Sequence, residues 1–276
     1  MEGVLNFFID VLKFGLPYSV LALGIFISYR ILDFADLGAE GSYTLGGAVV
    51  AICLYHSLNP FLSLLISIVC GFLAGIITGV LHTKLRIPKL LSGIITMTAL
   101  FSINMFIMGF GSKGNTSGYA SNVYLNGKNT NGVVIKTIYD TFLGFFSAKN
   151  YNIIFINILL VVLVLAIIYF FFGTEIGMSV RSTGMNEAMS RAQGINTSLM
   201  IILGLGISNA LIAMSGALYT QVNRTANNTM GVGVLVIGLA SIIIGEAIFG
   251  RIFSNFALNL IAMSLGSIIY YLLSII

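Results

Sequence analysis

Charge is the scarcest feature of this 276-residue sequence, because only 8% of its residues are charged. A soluble domain carries about 25% charged residues. A chain with so little charge could not cover a water-facing surface. Hydrophobic residues make up 58% of the sequence, and we expect them to face lipid. No polar stretch is long enough to form a sizeable domain outside the membrane.

Motifs for metal binding and catalysis are also scarce. Cys53 and Cys70 lie in apolar runs without a CxxC spacing, which is typical of small buried side chains. His56 and His82 have no second ligand at metal spacing, and no nucleophile–base pair is evident. We therefore predict no metal or cofactor in this chain and no intramembrane enzyme. No basic face remains for nucleic acid.

The few charges divide the chain into apolar runs that are long enough to cross a bilayer. The sequence predicts an all-α polytopic membrane protein with about eight spans. They are residues 15–31, 41–56, 60–82, 90–111, 151–173, 197–221, 230–246 and 252–275. The seventh span is short and glycine-rich, so a broken or re-entrant helix is an alternative there. Gly71, Gly75 and Gly79 repeat on one face of the third span, which favours close approach of another helix backbone.

The first 14 residues have a different pattern. Val4, Phe7, Phe8, Val11 and Leu12 recur at helical spacing with polar residues between them. This spacing predicts an amphipathic helix over residues 1–14 that lies in the membrane interface. An extension of the first span is the alternative.

Lysine and arginine residues near the span ends predict the orientation of the chain. If eight spans alternate, one side carries Arg30, Lys84, Arg86, Lys89, Arg181, Arg191 and Arg251. We assign that side to the cytoplasm. Both termini then face outward, as does the polar stretch over residues 112–150, which we predict to be an external loop.

Residues 177–196 are longer and more polar than a turn between two spans requires. Asn186 can serve as an N-cap, with Glu187 at the positive end of a short helix and Arg191 near its negative end. Gly194 can adopt the left-handed conformation that ends a helix. The sequence therefore predicts a cytoplasmic helix of about two turns, which we expect to contact a partner.

This segment resembles the coupling loop of permeases from ATP-binding-cassette importers. The matching residues are Gly177, Val180, Arg181, Gly184, Asn186, Arg191, Ala192, Gly194, Ile195 and Asn196. The pattern is similar to the branched-chain amino acid and ribose permease class, although Ser182 and the Met189-Ser190 pair replace alanines that are usual there. Phe34–Leu37, Tyr43–Ala48, Val236–Gly238, Ile244–Glu246 and Phe249–Arg251 also fit the class. Within it, the sequence looks most like permeases of tryptophan/tyrosine-type uptake systems.

The resemblance implies a fold like that of type II importers and several partners. Two permease chains would form a pore in a bacterial cell membrane, and two cytoplasmic ATPases would bind the coupling helices. An extracytoplasmic binding protein would deliver the solute. This chain lacks a Gly-x-x-x-x-Gly-Lys-Ser/Thr loop, so ATP and magnesium would belong to the ATPase. The ATPase-coupling residues would be Arg181, Gly184, Asn186, Glu187, Arg191 and Gly194.

Two further groups of residues are candidates for a gate and a pathway. Acidic groups at membrane depth rarely face lipid. The candidates for an inner gate, or for the cytoplasmic ends of the spans, are Asp36, Glu40, Glu246 and Arg251. Uncharged polar residues of two spans could line the path of a polar solute. They are Thr96, Thr98, Ser102, Asn104, Ser208 and Asn209. Ser and Thr hydroxyls can instead bond to their own helix.

The solute would be an amino acid, aromatic ones being the first candidates, with a sugar or nucleoside as alternatives. A secondary transporter driven by an ion gradient is another alternative. It would need an ionisable group deep in a span, and Glu40 is the nearest candidate in the sequence.

Overall fold

The computed structural model describes residues 2–110, 119–125, 135–141, 149–250 and 255–275. This part of the chain is almost entirely helical, as predicted. The elements are α1 (Glu2–Ile25) with a π-helical continuation (Phe26–Ile31), α2 (Gly38–Tyr55), α3 (Pro60–Thr83), α4 (Lys89–Gly109), β1 (Asn122–Tyr124), α5 (Ile138–Thr141), α6 (Lys149–Gly173), α7 (Glu175–Met185), α8 (Glu187–Ala192), α9 (Thr197–Asn223), β2 (Thr225–Asn227), α10 (Val234–Phe249) and α11 (Phe256–Ile275).

Six helices within the described ranges are long and apolar enough to cross a membrane. They are Phe7–Ile31, Pro60–Thr83, Lys89–Gly109, Tyr151–Gly173, Thr197–Asn223 and Phe256–Ile275. α2 and α10 match two of the predicted spans but are not among the six. α10 is too short, with 16 residues, and the first half of α2 is polar and rich in glycine. The predicted count of eight spans is therefore not confirmed.

α2 lies in the centre of the protein, where it packs against α3, α4 and α9. Nearly all of its residues are buried. A helix that is surrounded by protein does not need an apolar surface for lipid. Its position therefore explains how α2 tolerates Glu40, Ser42 and Thr44.

Glycine residues bring α3 and α9 into close contact. A Cβ at Gly71 or Gly75 would overlap α9, and one at Gly79 would lie 2.8 Å from the Cα atom of Ile202. The predicted close approach along this glycine face is confirmed, and α9 is the partner helix.

The structure joins the predicted interfacial helix and the first span in one helix. α1 runs without a break from Glu2 to Ile25, with Pro17 inside it. Val11 is only 2% exposed, since α1 packs against α6 and α11. The prediction of a separate helix over residues 1–14 is wrong, because this segment continues into the first span as one helix; Val11 is covered while Phe8 stays 52% exposed.

The chain approaches α10 through a non-helical segment. After β2, residues 228–233 form turns, and Gly231 packs so closely on α2 that a Cβ there would overlap the carbonyl oxygen of Glu40. Gly233 precedes the helix with a φ of 81°, which favours glycine. The helix predicted over 230–246 therefore starts later, at Val234. Its first turn lies inside the bundle, next to α2.

A small ribbon lies at the opposite end of the bundle from α8. β1 pairs with β2 in an antiparallel arrangement in which Val123 faces Ala226. Arg224 donates to Asp140, and Ile138 donates its backbone N–H to Gln221 at 2.9 Å. These contacts fix the described parts of the predicted external loop to the end of α9.

Candidate functional site

The predicted cytoplasmic helix is present as α8, and its ends follow local rules. The Asn186 side chain accepts a hydrogen bond from the Met189 backbone N–H at 3.0 Å. Gly194 follows the helix with a φ of 85°. The predicted cap and left-handed glycine are therefore confirmed in the structure. Sequence reasoning missed α7, which is capped by Thr174; the Thr174 side chain accepts from the Gly177 N–H at 3.2 Å.

α7 lies against the end of the first span and leads into α8. Gly184 lies so close to the Ile31 carbonyl oxygen that a Cβ would overlap it, and Val180 is fully buried. Arg181 lies over the ring of Phe256, with its guanidinium carbon 4.6 Å from the ring centroid. Gly184 and Arg181 thus join α7 to the bundle, while Asn186 begins the exposed part.

A polar network connects α8 to the first residue of α9. Arg191 donates to the Glu187 carboxylate, and its Nε donates to the Thr197 hydroxyl at 2.8 Å. The Thr197 hydroxyl donates to Glu187 at 3.2 Å. Thr197 is the first residue of α9, so this network joins α8 to that helix.

Two methionines beside this network are unusually exposed. Met185 is 88% exposed and Met189 is 61% exposed. Methionine is common at surfaces that bind helices, since its side chain is flexible and polarisable. Sequence reasoning did not select these residues, although they are the apolar side chains of an otherwise polar segment.

A cavity of about 590 Å³ lies between α8 and the connection from α3 to α4. Its lining includes His82, Thr83, Arg86, Pro88, Glu187, Arg191 and Ser198. Most of these side chains can form hydrogen bonds. The exposed methionines, the network and this cavity together form one surface, which we call the α8 surface.

Asp36 forms a second polar site, inside the bundle. Its carboxylate is 2% exposed and accepts hydrogen bonds from the Gly38 N–H at 2.8 Å and from Asn209 Nδ2 at 2.7 Å. Nearby, the Thr78 hydroxyl donates to the Thr96 hydroxyl at 2.9 Å. Asp36 therefore accepts from the first N–H of α2 and connects the start of this helix to the middle of α9.

Glu40 lies deeper in the bundle than the sequence indicated. It lines a cavity with Met97, Phe101 and Asn104 of α4 and with Asn228. At 1.5 Å per residue, these α4 residues lie ~12 to ~22 Å from the start of that helix. The Glu40 carboxylate accepts from the Gly233 N–H at 3.0 Å, so it sits at the positive end of α10. Glu40 therefore lies in the first turn of α2 and beside the middle of α4; its role at a gate or cytoplasmic end stays a prediction.

The remaining predicted residues do not converge on one path. Ser208 donates to the Gly24 carbonyl oxygen at 2.8 Å and joins α9 to α1. Thr98 and Ser102 lie on the exposed face of α4, where Thr98 bonds to its own helix. Glu246 pairs with Arg30 at 3.0 Å, far from Glu40 along α10. Arg251 lies outside the described residues.

Comparisons with known proteins identify the family. The chain belongs to the family described as the permease component of the branched-chain amino acid transport system, which matches residues 7–276. It is therefore a multi-pass permease component of an ATP-binding-cassette transporter, and not itself a catalytic enzyme.

Individual relatives cover most of the chain. A tyrosine transport system permease protein of Clostridioides difficile is 38% identical over 98% of this chain and 81% of its own length. An uncharacterised protein of Rickettsia prowazekii is 32% identical over 98% of this chain and 88% of its own length. A ribose import permease protein of Haemophilus influenzae is more distant, at 24% identity over 85% of this chain and 64% of its own length.

A solved complex, PsaBC from Streptococcus pneumoniae bound to a Fab, aligns with 100% of this chain and 92% of its own chain. The TM-score is 0.40 and the sequence identity is 17%. This similarity is too low to support an argument about fold or function.

Proposed function

We propose that two copies of this chain form the membrane pore of an ATP-driven importer in a bacterial cell membrane. The pore imports an amino acid, which an extracytoplasmic binding protein delivers. The tyrosine permease at 38% identity favours an aromatic amino acid, whereas the ribose permease at 24% identity is a weaker guide to the solute.

The α8 surface is the observation that carries the proposal. α8 is a capped helix that exposes Met189, and Met185 is exposed at the end of α7 just before it. This surface has no packing role inside the bundle, so it suits contact with a cytoplasmic ATPase. ATP and magnesium belong to that ATPase. When two ATPases bind ATP and approach each other, each displaces one α8. The Glu187–Arg191–Thr197 network then carries the displacement to α9 and shifts the pore between inward-facing and outward-facing states.

A pair of variants tests whether α8 is the ATPase contact. Met189→Asp places a charge on the α8 surface, and we expect it to weaken ATPase co-purification at least about tenfold. Met178→Asp is the matched control, since Met178 is 54% exposed but belongs to α7. Equal ATPase binding by both variants and the unchanged chain would contradict the proposal.

Vesicles that contain the permease, the ATPase and the binding protein test the energy source and the solute. We expect tyrosine uptake to stop when ATP is depleted and to continue when the ion gradients are collapsed. The opposite result would indicate a secondary transporter. Uptake of ribose or a nucleoside in place of tyrosine would correct the solute.

A further inference from the structure

The cavity beside Glu40 contains hydrogen-bond acceptors that the protein leaves unused. Asn104 is 0% exposed and Asn228 is 3% exposed. Neither Oδ1 atom has a hydrogen-bond partner among the described residues. A buried polar atom without a partner costs about 1–3 kcal/mol. Such atoms occur where a ligand or an ordered water supplies the missing bond.

The orientation of the Asn104 amide is set by its surroundings. Its Nδ2 atom donates to the Gly41 carbonyl oxygen at 3.2 Å, and a carbonyl oxygen can only accept. The other end of the amide, which faces no donor, is therefore the oxygen. The unpartnered Oδ1 atom of Asn104 is therefore not an artefact of assigning the amide nitrogen and oxygen the wrong way round.

The charge of the cavity is also uncompensated by a cation. No lysine or arginine in the described ranges forms an ion pair with Glu40. The Gly233 N–H and the positive end of α10 offset part of the charge. Thr44 also lines the cavity, but its hydroxyl donates to the Glu40 backbone oxygen at 3.1 Å. The cavity therefore contains a carboxylate and also two amide oxygens that have no hydrogen-bond partner among the described residues.

The size of the cavity limits what can enter. Its volume is about 20 Å³, which holds one water-sized group, since a single water needs about 10–15 Å³. A primary ammonium group has this size, carries a positive charge and offers three donors without an acceptor. Phe101 and Val232 line the same cavity and are 45% and 65% exposed, so the opening is apolar.

We propose that Glu40, Asn104 and Asn228 bind the protonated amino group of the solute during its passage through the pore, while the apolar body of the solute contacts Phe101 and Val232. This inference rests on the proposed import of an amino acid. It assigns recognition of the ammonium group to the permease itself, in addition to any recognition by the binding protein.

The uptake test uses vesicles with the complete transporter and saturating tyrosine-loaded binding protein, so that the initial rate reports passage through the permease. Glu40→Gln keeps an oxygen that can accept from the Gly233 N–H but removes the charge. We expect the rate to fall at least about tenfold, and Glu40→Asp to retain a larger share of it. Asp10→Asn, which removes an exposed carboxylate of α1, should leave the rate unchanged. A Glu40→Gln rate equal to that of the unchanged chain would overturn the proposal.

A binding test on the purified full-length permease does not depend on transport. Methylammonium chloride should raise the melting temperature of the unchanged chain, but not that of Glu40→Gln, relative to tetramethylammonium chloride at equal ionic strength. No difference between the two salts would overturn the proposal. An equal rise with sodium chloride would also overturn it, because the site would then bind metal cations. If methylammonium binds but tyrosine is not taken up, the proposed import fails while the ammonium site stands.

Discussion

At the scale of single residues, the buried Asp36 and the half-buried Glu40 are stabilised in the same way inside the bundle. Asp36 accepts from the first N–H of α2, and Glu40 accepts from the N–H that precedes α10. A helix N-terminus carries roughly half a positive charge. Each carboxylate is thus stabilised by backbone dipoles, so that the protein can hold it without a lysine or arginine beside it.

We expect Asn209→Leu to destabilise the protein, because Asp36 would lose the donor at 2.7 Å while remaining buried. A lost hydrogen bond to a buried charge costs about 1.5–3 kcal/mol. The melting temperature of the purified permease should therefore fall by several degrees. Asp36→Asn should be milder, since the Asn209 amide can rotate and accept. An unchanged melting temperature for Asn209→Leu would show that this bond does not hold α2.

At the scale of elements, α7 is the link between the exposed α8 and the membrane helices. Its last turn lies against the end of the π-helical segment, and the following residue, Asn186, caps α8. A close contact without side chains in between transmits displacement with little loss. The position of α8 therefore depends on one glycine contact as well as on its polar network.

The glycine contact can be tested with a matched pair of variants. Gly184→Ala forces α7 away from Ile31, and overpacking of this kind costs about 1–3 kcal/mol. Gly173→Ala should be tolerated, since no atom lies within 4 Å of a Cβ there. We expect the first variant alone to lower the melting temperature and the yield of folded protein. Equal stability of both variants would contradict the close contact.

The sequence predicted the elements that follow local rules. The cap at Asn186 and the left-handed Gly194 were predictable because capping depends on neighbours in the chain. The glycine repeat of α3 likewise predicted close approach of another helix. α7 was missed because it follows the apolar run of the fifth span after a single capping residue, Thr174.

Long-range contacts explain the errors. Charges were used to mark span ends, so the second span was predicted to start after Glu40. The backbone partner of Glu40 is the start of α10, 193 positions away, and a sequence does not reveal such a contact. The unused oxygens of Asn104 and Asn228 were invisible for the same reason, although Asn104 itself was selected as a pathway residue.

At the scale of the whole molecule, one protomer leaves apolar side chains exposed beside the opening of the Glu40 cavity. Phe101 and Val232 are exposed beside the Glu40 cavity, and Val236 is exposed in the first turn of α10. A second copy of the chain on this side would enclose the cavity and leave it facing a shared pore. This arrangement fits the proposed pair of permeases.

We expect the purified transporter to contain two permease chains. Light scattering of the complex should give a permease contribution of twice the 29.6 kDa of one chain, after correction for detergent and for the ATPase. The ATPase-free permease serves as the reference for the detergent correction. A complex with one permease chain would contradict the proposed pore.

The glycine face of α3 has a mechanical consequence. With backbone against backbone at Gly71, Gly75 and Gly79, α3 and α9 are held together as one pair. We therefore expect a displacement of α8 that reaches α9 to move α3 with it, so that the α3–α9 pair and not α9 alone changes position between the two states of the pore.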